Sequence, residues 1–182
     1  IHGVLHLAGV PGAGTDGRAG ADDLPTALAP KLGGARVLER VLADRPLDFF
    51  VAASSLMASW PIAGWSDYCA ANSALDALVA ERARTQPGVN VSIQWPRWRE
   101  AGMAVELARR AGQPAPTEGL SNADAADCFR RILDGADDPT VLVSAIDFRA
   151  RTATLSRLGV DIAEEPAPTD VSTSVHARPD LQ

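Results

Sequence analysis

Tyr68 and Asn72 stand four residues apart in a run rich in alanine and leucine, YCAANSALDAL. Four residues is about one helical turn, so the phenol and the carboxamide share a helix face. Thirteen residues before Tyr68 is Ser55, the second of the pair Ser54-Ser55, where the apolar run Phe49–Ala53 stops. Lys31 lies upstream, on what reads as the apolar side of an earlier helix, an odd place for a charge. These residue types suit one reaction. A carbonyl reduced by hydride gathers negative charge on its oxygen. Tyr68 would give that oxygen a proton, Ser55 would hydrogen-bond and orient it, and Asn72 would hold a water that passes protons onward. An unperturbed phenol, with a pKa of roughly 10, parts with its proton reluctantly near neutrality. A neighbouring Lys31 ammonium lowers that pKa and stabilises the phenolate. Each residue also has a plainer use: Tyr68 as packing, Ser55 as a turn cap, Asn72 bonded to nearby backbone, Lys31 with its stem along apolar surface. Taken together, at the ends of the right elements, the four point to chemistry.

Those elements alternate. Ile1–Ala8 reads as a short apolar strand ended by Gly9. Asp22 or Asp23 caps a helix that tolerates Pro25 in its first turn. Leu24, Leu28, Leu32, Ala35, Leu38 and Leu42 then recur at three- and four-residue steps, and Pro30 kinks that helix or delays its start. Leu47–Ser54 is almost continuously apolar, as in strands buried on both faces of a parallel sheet. Tyr68–Arg84 is strongly helical and stops at Pro87-Gly88, and Val89–Trp95 alternates like a strand. Pro96–Ser121 reads as a long loop with a helical piece. Asn122 caps a helix running to about Leu133, and Thr140–Ser144 is a last short strand. Strands alternating with helices predict an α/β fold, a parallel sheet with helices on both faces. Sites in such sheets form at the carboxyl ends of strands, here Ala8–Val10, Ser54–Ser55 and Trp95–Trp98.

Composition narrows the class. Of 182 residues, 46% are apolar and 22% charged, enough for a core without staples. A net charge of −6 and a pI near 5.0 argue against a nucleic-acid binder, which needs basic surface for phosphates. No apolar run is long enough to span a bilayer. Cys69 and Cys128 form neither a disulfide framework nor a metal site by spacing, so a reducing, cytoplasmic setting is the default. The chain opens within a strand at Ile1, which reads as a fragment or a processed chain. The loop Pro11–Asp22 is rich in glycine. After Val160 the sequence turns to Pro, Ser, Thr and acidic residues, so 161–182 reads as a linker or tail and 1–160 as the domain.

The run LDFFVAASS…W…YCAANSALDAL…VSIQWPRWREAGMA resembles the ketoreductase domain of modular polyketide synthases, in the short-chain dehydrogenase/reductase superfamily. The resemblance covers Ile1 to about Phe148. Its Tyr-x-x-x-Asn motif is Tyr68 to Asn72, its serine is Ser55, and its lysine, upstream in these domains, is Lys31 in LAPKLGGA. It implies a Rossmann-like fold whose N-terminal part is missing from this chain. It also implies hydride from NADPH and a β-ketoacyl thioester on the phosphopantetheine arm of an acyl carrier protein domain. Lys31 would also bind the nicotinamide ribose. Leu7–Val10, with Ala8 and Gly9, looks like the family's AAGV turn beside the cofactor; Trp95–Trp98, with Pro96, looks like its WGPW segment near the nicotinamide. Gly102-Met103-Ala104 looks like the start of a substrate lid, and the tail ARPDL is similar to linkers that lead to a carrier domain.

The loop PGAGTDGRAGADD lacks the Leu-Asp-Asp of B-type domains, and Trp60, eight residues before Tyr68, stands where A-type domains carry a tryptophan. The resemblance therefore implies an A-type domain and an L-configured β-hydroxy product, unless Trp60 only packs the loop. Three departures stand out. Pro96 replaces a glycine and removes a backbone N–H where the cofactor amide would sit. Trp65 is bulky where A-type domains often carry Gln or His, and would narrow the pocket. The Gly-rich phosphate loop is absent, and Gly12–Gly20 does not replace it. Two alternatives stay open: an α-ketoacyl reductase of a depsipeptide synthetase, and a non-catalytic structural module of a megasynthase. A filled set of four argues against the second. A free-standing reductase of small ketones fits poorly with the linker-like tail.

Overall fold

The apolar run in the first half of the chain is the spine of the sheet. In this computed structural model, which describes residues 1–12 and 21–146, β1 (Gly3–His6), β2 (Phe49–Ser55), β3 (Val89–Trp95) and β4 (Thr140–Leu142) form one parallel sheet in the order β1-β2-β3-β4. β2 pairs with β3 along its whole length, from Phe49 opposite Val89 to Ser55 opposite Trp95. Because successive side chains point to opposite faces, β2 feeds two cores. Phe50 and Ala52 pack with Ala35, Leu42, Leu47, Leu75 and Val79 on one face. Val51 joins Val91, Ile93, Leu120, Ala125, Ile132 and Val143 on the other. Each buried Leu, Ile, Val or Phe contributes about 1.5–3 kcal/mol relative to exposure, so burial on both faces fixes where the helices lie.

The helices that supply those residues are α2 (Gly34–Val41) and α3 (Ser66–Thr85) on the first face and α5 (Asn122–Gly135) on the second. The expected parallel α/β sheet with helices on both faces is therefore what the chain forms. α4 (Met103–Arg110) is the helical piece of the long loop. That loop is pinched at its base, where Trp98 pairs with Leu120 and Leu120 N–H donates to the Arg97 carbonyl at 2.9 Å.

Several boundaries differ from the sequence reading. β1 is Gly3–His6 rather than Ile1–Ala8, and β4 stops at Leu142. α3 begins two residues earlier than expected, at Ser66. The cap of α5 is Ser121, not Asn122: its hydroxyl accepts from the Asp124 N–H at 3.0 Å, and Asn122 is already helical. Asp23 holds the N-cap position of α1 (Leu24–Leu28), without a side-chain bond into the first turn. Pro30 neither delays the helix nor breaks it. Between α1 and α2 the backbone widens over Ala29–Gly33 into a π-type turn. A proline has no N–H to give and its ring crowds the carbonyl four residues back, so a wider turn relieves both. Most of the Gly-rich loop, the tail and the boundary near residue 160 lie outside the described residues. No described helix is long and apolar enough to cross a membrane.

Candidate active site

The wide turn carries Lys31 inward. Its side chain is only 3% exposed, and its ammonium donates to the Ala53 carbonyl of β2 at 2.9 Å. Its backbone is held as well. The Lys31 carbonyl accepts from the Gly34 N–H and from Nε2 of His6, buried at the end of β1, at 2.7 Å. Since a carbonyl only accepts, Nε2 carries the proton. Gly34 permits this approach, because a Cβ there would stand 3.0 Å from the His6 ring. Burial pushes the Lys31 amine down to about 8, against the opposing pull of the Asp76 carboxylate. Burial also lowers His6.

Tyr68 and Asn72 enter from the first turns of α3. The Lys31 amine lies 5.7 Å from the centre of the Tyr68 ring, within reach of its π face. Here one expectation is corrected. The Tyr68 phenol is raised, not depressed: burial drives it up, and the nearby Asn72 and Ser55 side chains pull it down without cancelling that effect. Asn72 is fully buried. Its Nδ2 donates to the Tyr68 carbonyl at 2.7 Å, which is the plainer use foreseen for it, while its Oδ1 has no hydrogen-bond partner. Ser55 ends β2 and does cap a turn: its hydroxyl accepts from the Met57 N–H at 3.2 Å. One accepted bond leaves the hydroxyl hydrogen free to donate. The four residues named from the sequence thus meet at the carboxyl end of β2, where β1, α3 and the wide turn converge.

The flanking residues fall around them. The Trp65 ring meets Tyr68 edge to face, with centroids 6.2 Å apart. Trp95 and Trp98 make the same kind of contact at 5.2 Å, one residue to either side of the Pro96-Arg97 pair. Trp60 is half-buried in the loop between β2 and α3, its backbone N–H donating to the Leu56 carbonyl. A Cβ at Gly9 would come within 3.2 Å of Lys31 Cε, 3.4 Å of its Nζ and 3.7 Å of Met103 Cε. Gly9 therefore lies between the Lys31 and Met103 side chains. Glycine leaves the backbone open beside the Lys31 ammonium, two of whose N–H bonds are not used on Ala53, a donor set whose chemistry suits the hydroxyls of a nicotinamide ribose. Sequence reading missed His6, whose partner is a backbone atom, and a buried carboxylate, Asp76, on α3. It also passed over two counts: Lys31 is the one lysine of the chain, beside 16 arginines, and Tyr68 its one tyrosine.

The KR domain family matches residues 1–100. The chain is 34% identical to polyketide synthase ThaG of Burkholderia thailandensis over 188 aligned positions, covering all of this chain and 3% of that protein. PlmKR1, the ketoreductase from the first module of phoslactomycin biosynthesis in Streptomyces sp. HK803, superposes with a TM-score of 0.65 at 31% identity, over 82% of this chain and 34% of its own. A short-chain dehydrogenase from Streptomyces avermitilis shares the fold at 20% identity, TM-score 0.60, over 87% of this chain and 66% of its own. The chain spans a small fraction of the polyketide synthase and about a third of the ketoreductase structure. With the sheet, the inward lysine and the Tyr-x-x-x-Asn turn in place, the chain belongs to the KR domain family, the ketoreductase domains of polyketide synthases in the short-chain dehydrogenase/reductase superfamily.

Proposed function

We propose that this chain is the catalytic, C-terminal portion of an NADPH-dependent ketoreductase domain in polyketide biosynthesis, acting in the cytoplasm. It reduces a β-ketoacyl thioester on the phosphopantetheine arm of an acyl carrier domain to the β-hydroxyacyl thioester, with A-type stereochemistry. The observation that carries this reading is the meeting of Lys31, Ser55, Tyr68 and Asn72 at one strand end. Bound NADPH would supply the hydride, with Ala8, Gly9, Lys31, Tyr68, Trp95 and Pro96 around its nicotinamide end. Tyr68 keeps its proton while the site rests, because burial raises the phenol. It gives that proton up to the substrate oxygen as negative charge builds there. Ser55 donates its free hydrogen to the same oxygen. Lys31 faces the phenol with a positive charge that steadies the phenolate left behind. Asn72 fixes the first turn of α3 through the Tyr68 carbonyl and offers its unpartnered Oδ1 to a water. Trp60, Trp65 and Met103 border the space where the acyl chain would lie and set which face of the ketone is offered.

The phosphates of NADPH need a helix N-terminus and a Gly-rich turn, which the N-terminal half of the domain would bring. Support for that partner comes from β1, whose edge away from β2 pairs with no strand among the described residues. Leu5 and Leu7 are exposed beside it, an edge that sheet proteins normally cover. The test uses the complete domain. NADPH fluorescence should rise on titration, and NADPH should be consumed with a β-ketoacyl thioester faster than with its α-keto isomer. Chiral chromatography should return the L-hydroxy product. Preference for the α-keto substrate would move the domain to depsipeptide chemistry, and no NADPH binding would make it a structural module.

A further inference from the structure

Tyr68, Asn72 and Asp76 follow one another at four-residue steps down the same face of α3. Asp76 is buried, 9% exposed. One carboxylate oxygen accepts from the hydroxyl of Ser92, fully buried in β3, at 2.5 Å. The other accepts from Nε2 of Gln94, also in β3, at 2.8 Å. Gln94 Oε1 in turn accepts from the Ser59 hydroxyl at 2.8 Å, at the end of the turn that Ser55 opens. Both groups bonded to the carboxylate are neutral, and a buried anion held only by neutral donors still needs a counter-charge. The sheet register supplies one: Ala53, whose carbonyl holds the Lys31 ammonium, lies opposite Ile93, between the Ser92 and Gln94 that hold the carboxylate, and the Asp76 charge acts on Lys31 against its burial. The other titratable groups facing Lys31 are His6 from β1, a neutral donor to its carbonyl, and Tyr68 from α3.

Resting on the reductase reading above, we propose that Asp76 is a positioning residue of this site. Its carboxylate, locked by Ser92 and Gln94 beneath Tyr68, is the fixed counter-charge that keeps Lys31 an ammonium and keeps it in place against the Ala53 carbonyl. Asp76 touches neither substrate nor cofactor; it acts through Lys31. The same clamp joins the turn that bears Ser55 to the helix that bears Tyr68, so one buried network sets the spacing of donor, acid and cation.

Asp76→Asn separates charge from shape. An asparagine can accept from Gln94 and donate to Ser92 Oγ, so both hydrogen bonds survive while the charge is lost. Because Lys31 is the one lysine, lysine labelled with 13C at Cε gives one resonance whose pH titration reports its protonation without turnover. In Asp76→Asn that titration should move at least about one pH unit lower, a tenfold change in protonation. In Ser92→Ala, which keeps the carboxylate, it should stay within a few tenths. In the complete domain Asp76→Asn should lower kcat about tenfold near pH 9 but only about twofold near pH 7, recover as the pH is lowered further, leave KM within about twofold, and be rescued by Asp76→Glu. If Asp76→Asn does not fold, the triple variant Asp76→Leu, Ser92→Ala, Gln94→Met removes the whole polar network and should show the same Lys31 shift. A folded charge-removed variant whose Lys31 titrates as in the unaltered protein overturns the proposal, as does an equal shift in Ser92→Ala. A Lys31 shift in a protein that never reduces a ketone would sink the reductase reading and leave the Asp76–Lys31 pairing standing.

Discussion

Lys31 carries its charge where charge is costly, and that sets two opposite pH dependences. Its amine is brought to about 8 in the folded protein from 10.5 in the open chain. Between those values the unfolded chain binds more protons than the folded one, so stability rises with pH across that interval. Below about 8 the burial penalty is felt in full. Denaturant melts at about pH 7 and about pH 9.5 should therefore show the higher midpoint at the higher pH. Lys31→Met should abolish that rise and match or exceed the unaltered protein near neutrality. Reduction should run the other way, falling as pH passes through about 8 and the ammonium is lost. A rate flat across that range would remove Lys31 from its role. Tyr68 does not share this sensitivity near neutrality, because burial holds its proton on. The four chemical side chains were legible as types and spacings. Asp76 was not, since one acid in an alanine-rich helix reads as solvated surface, although its four-residue step from Asn72 placed it on the same face.

At the scale of elements, the wide turn at Ala29–Gly33 is what aims the lysine. Pro30 announced an irregularity, but not its kind: whether a proline kinks, ends or widens a helix depends on what the freed carbonyls meet. Here the Lys31 carbonyl meets His6, a contact spanning 25 residues that no local pattern encodes. Gly34→Ala tests the arrangement. Alanine favours a helix over glycine by about 0.8–1 kcal/mol, yet its Cβ would press on the His6 ring from 3.0 Å. The variant should melt close to the unaltered protein while losing turnover several-fold; full turnover would show that the His6 contact does not set the lysine. Ser121→Ala should cost about 1 kcal/mol through the lost cap of α5, read by denaturation, whereas Asn122→Ala should cost little. The cap was misplaced by one residue because Ser121 and Asn122 are both good caps, and only the backbone shows which one is extended.

Across the whole molecule, the order of strands and helices was the most legible feature. Alternating short apolar runs and amphipathic helices admit few solutions other than a parallel sheet, and Val89–Trp95 matches β3 end to end. Among the described residues the sheet ends at β1, with Ile1, Leu5 and Leu7 exposed. If an N-terminal half completes the domain as proposed, joining it to the chain should raise the melting temperature and tighten NADPH binding. If the joined protein melts no higher, β1 is not the seam. The most direct test of the central claim, that Tyr68 is the acid of a reductase, is Tyr68→Phe in the complete domain. The account predicts a folded protein that binds NADPH as before and reduces the β-ketoacyl thioester at least about a hundredfold more slowly. Turnover equal to that of the unaltered domain would contradict it.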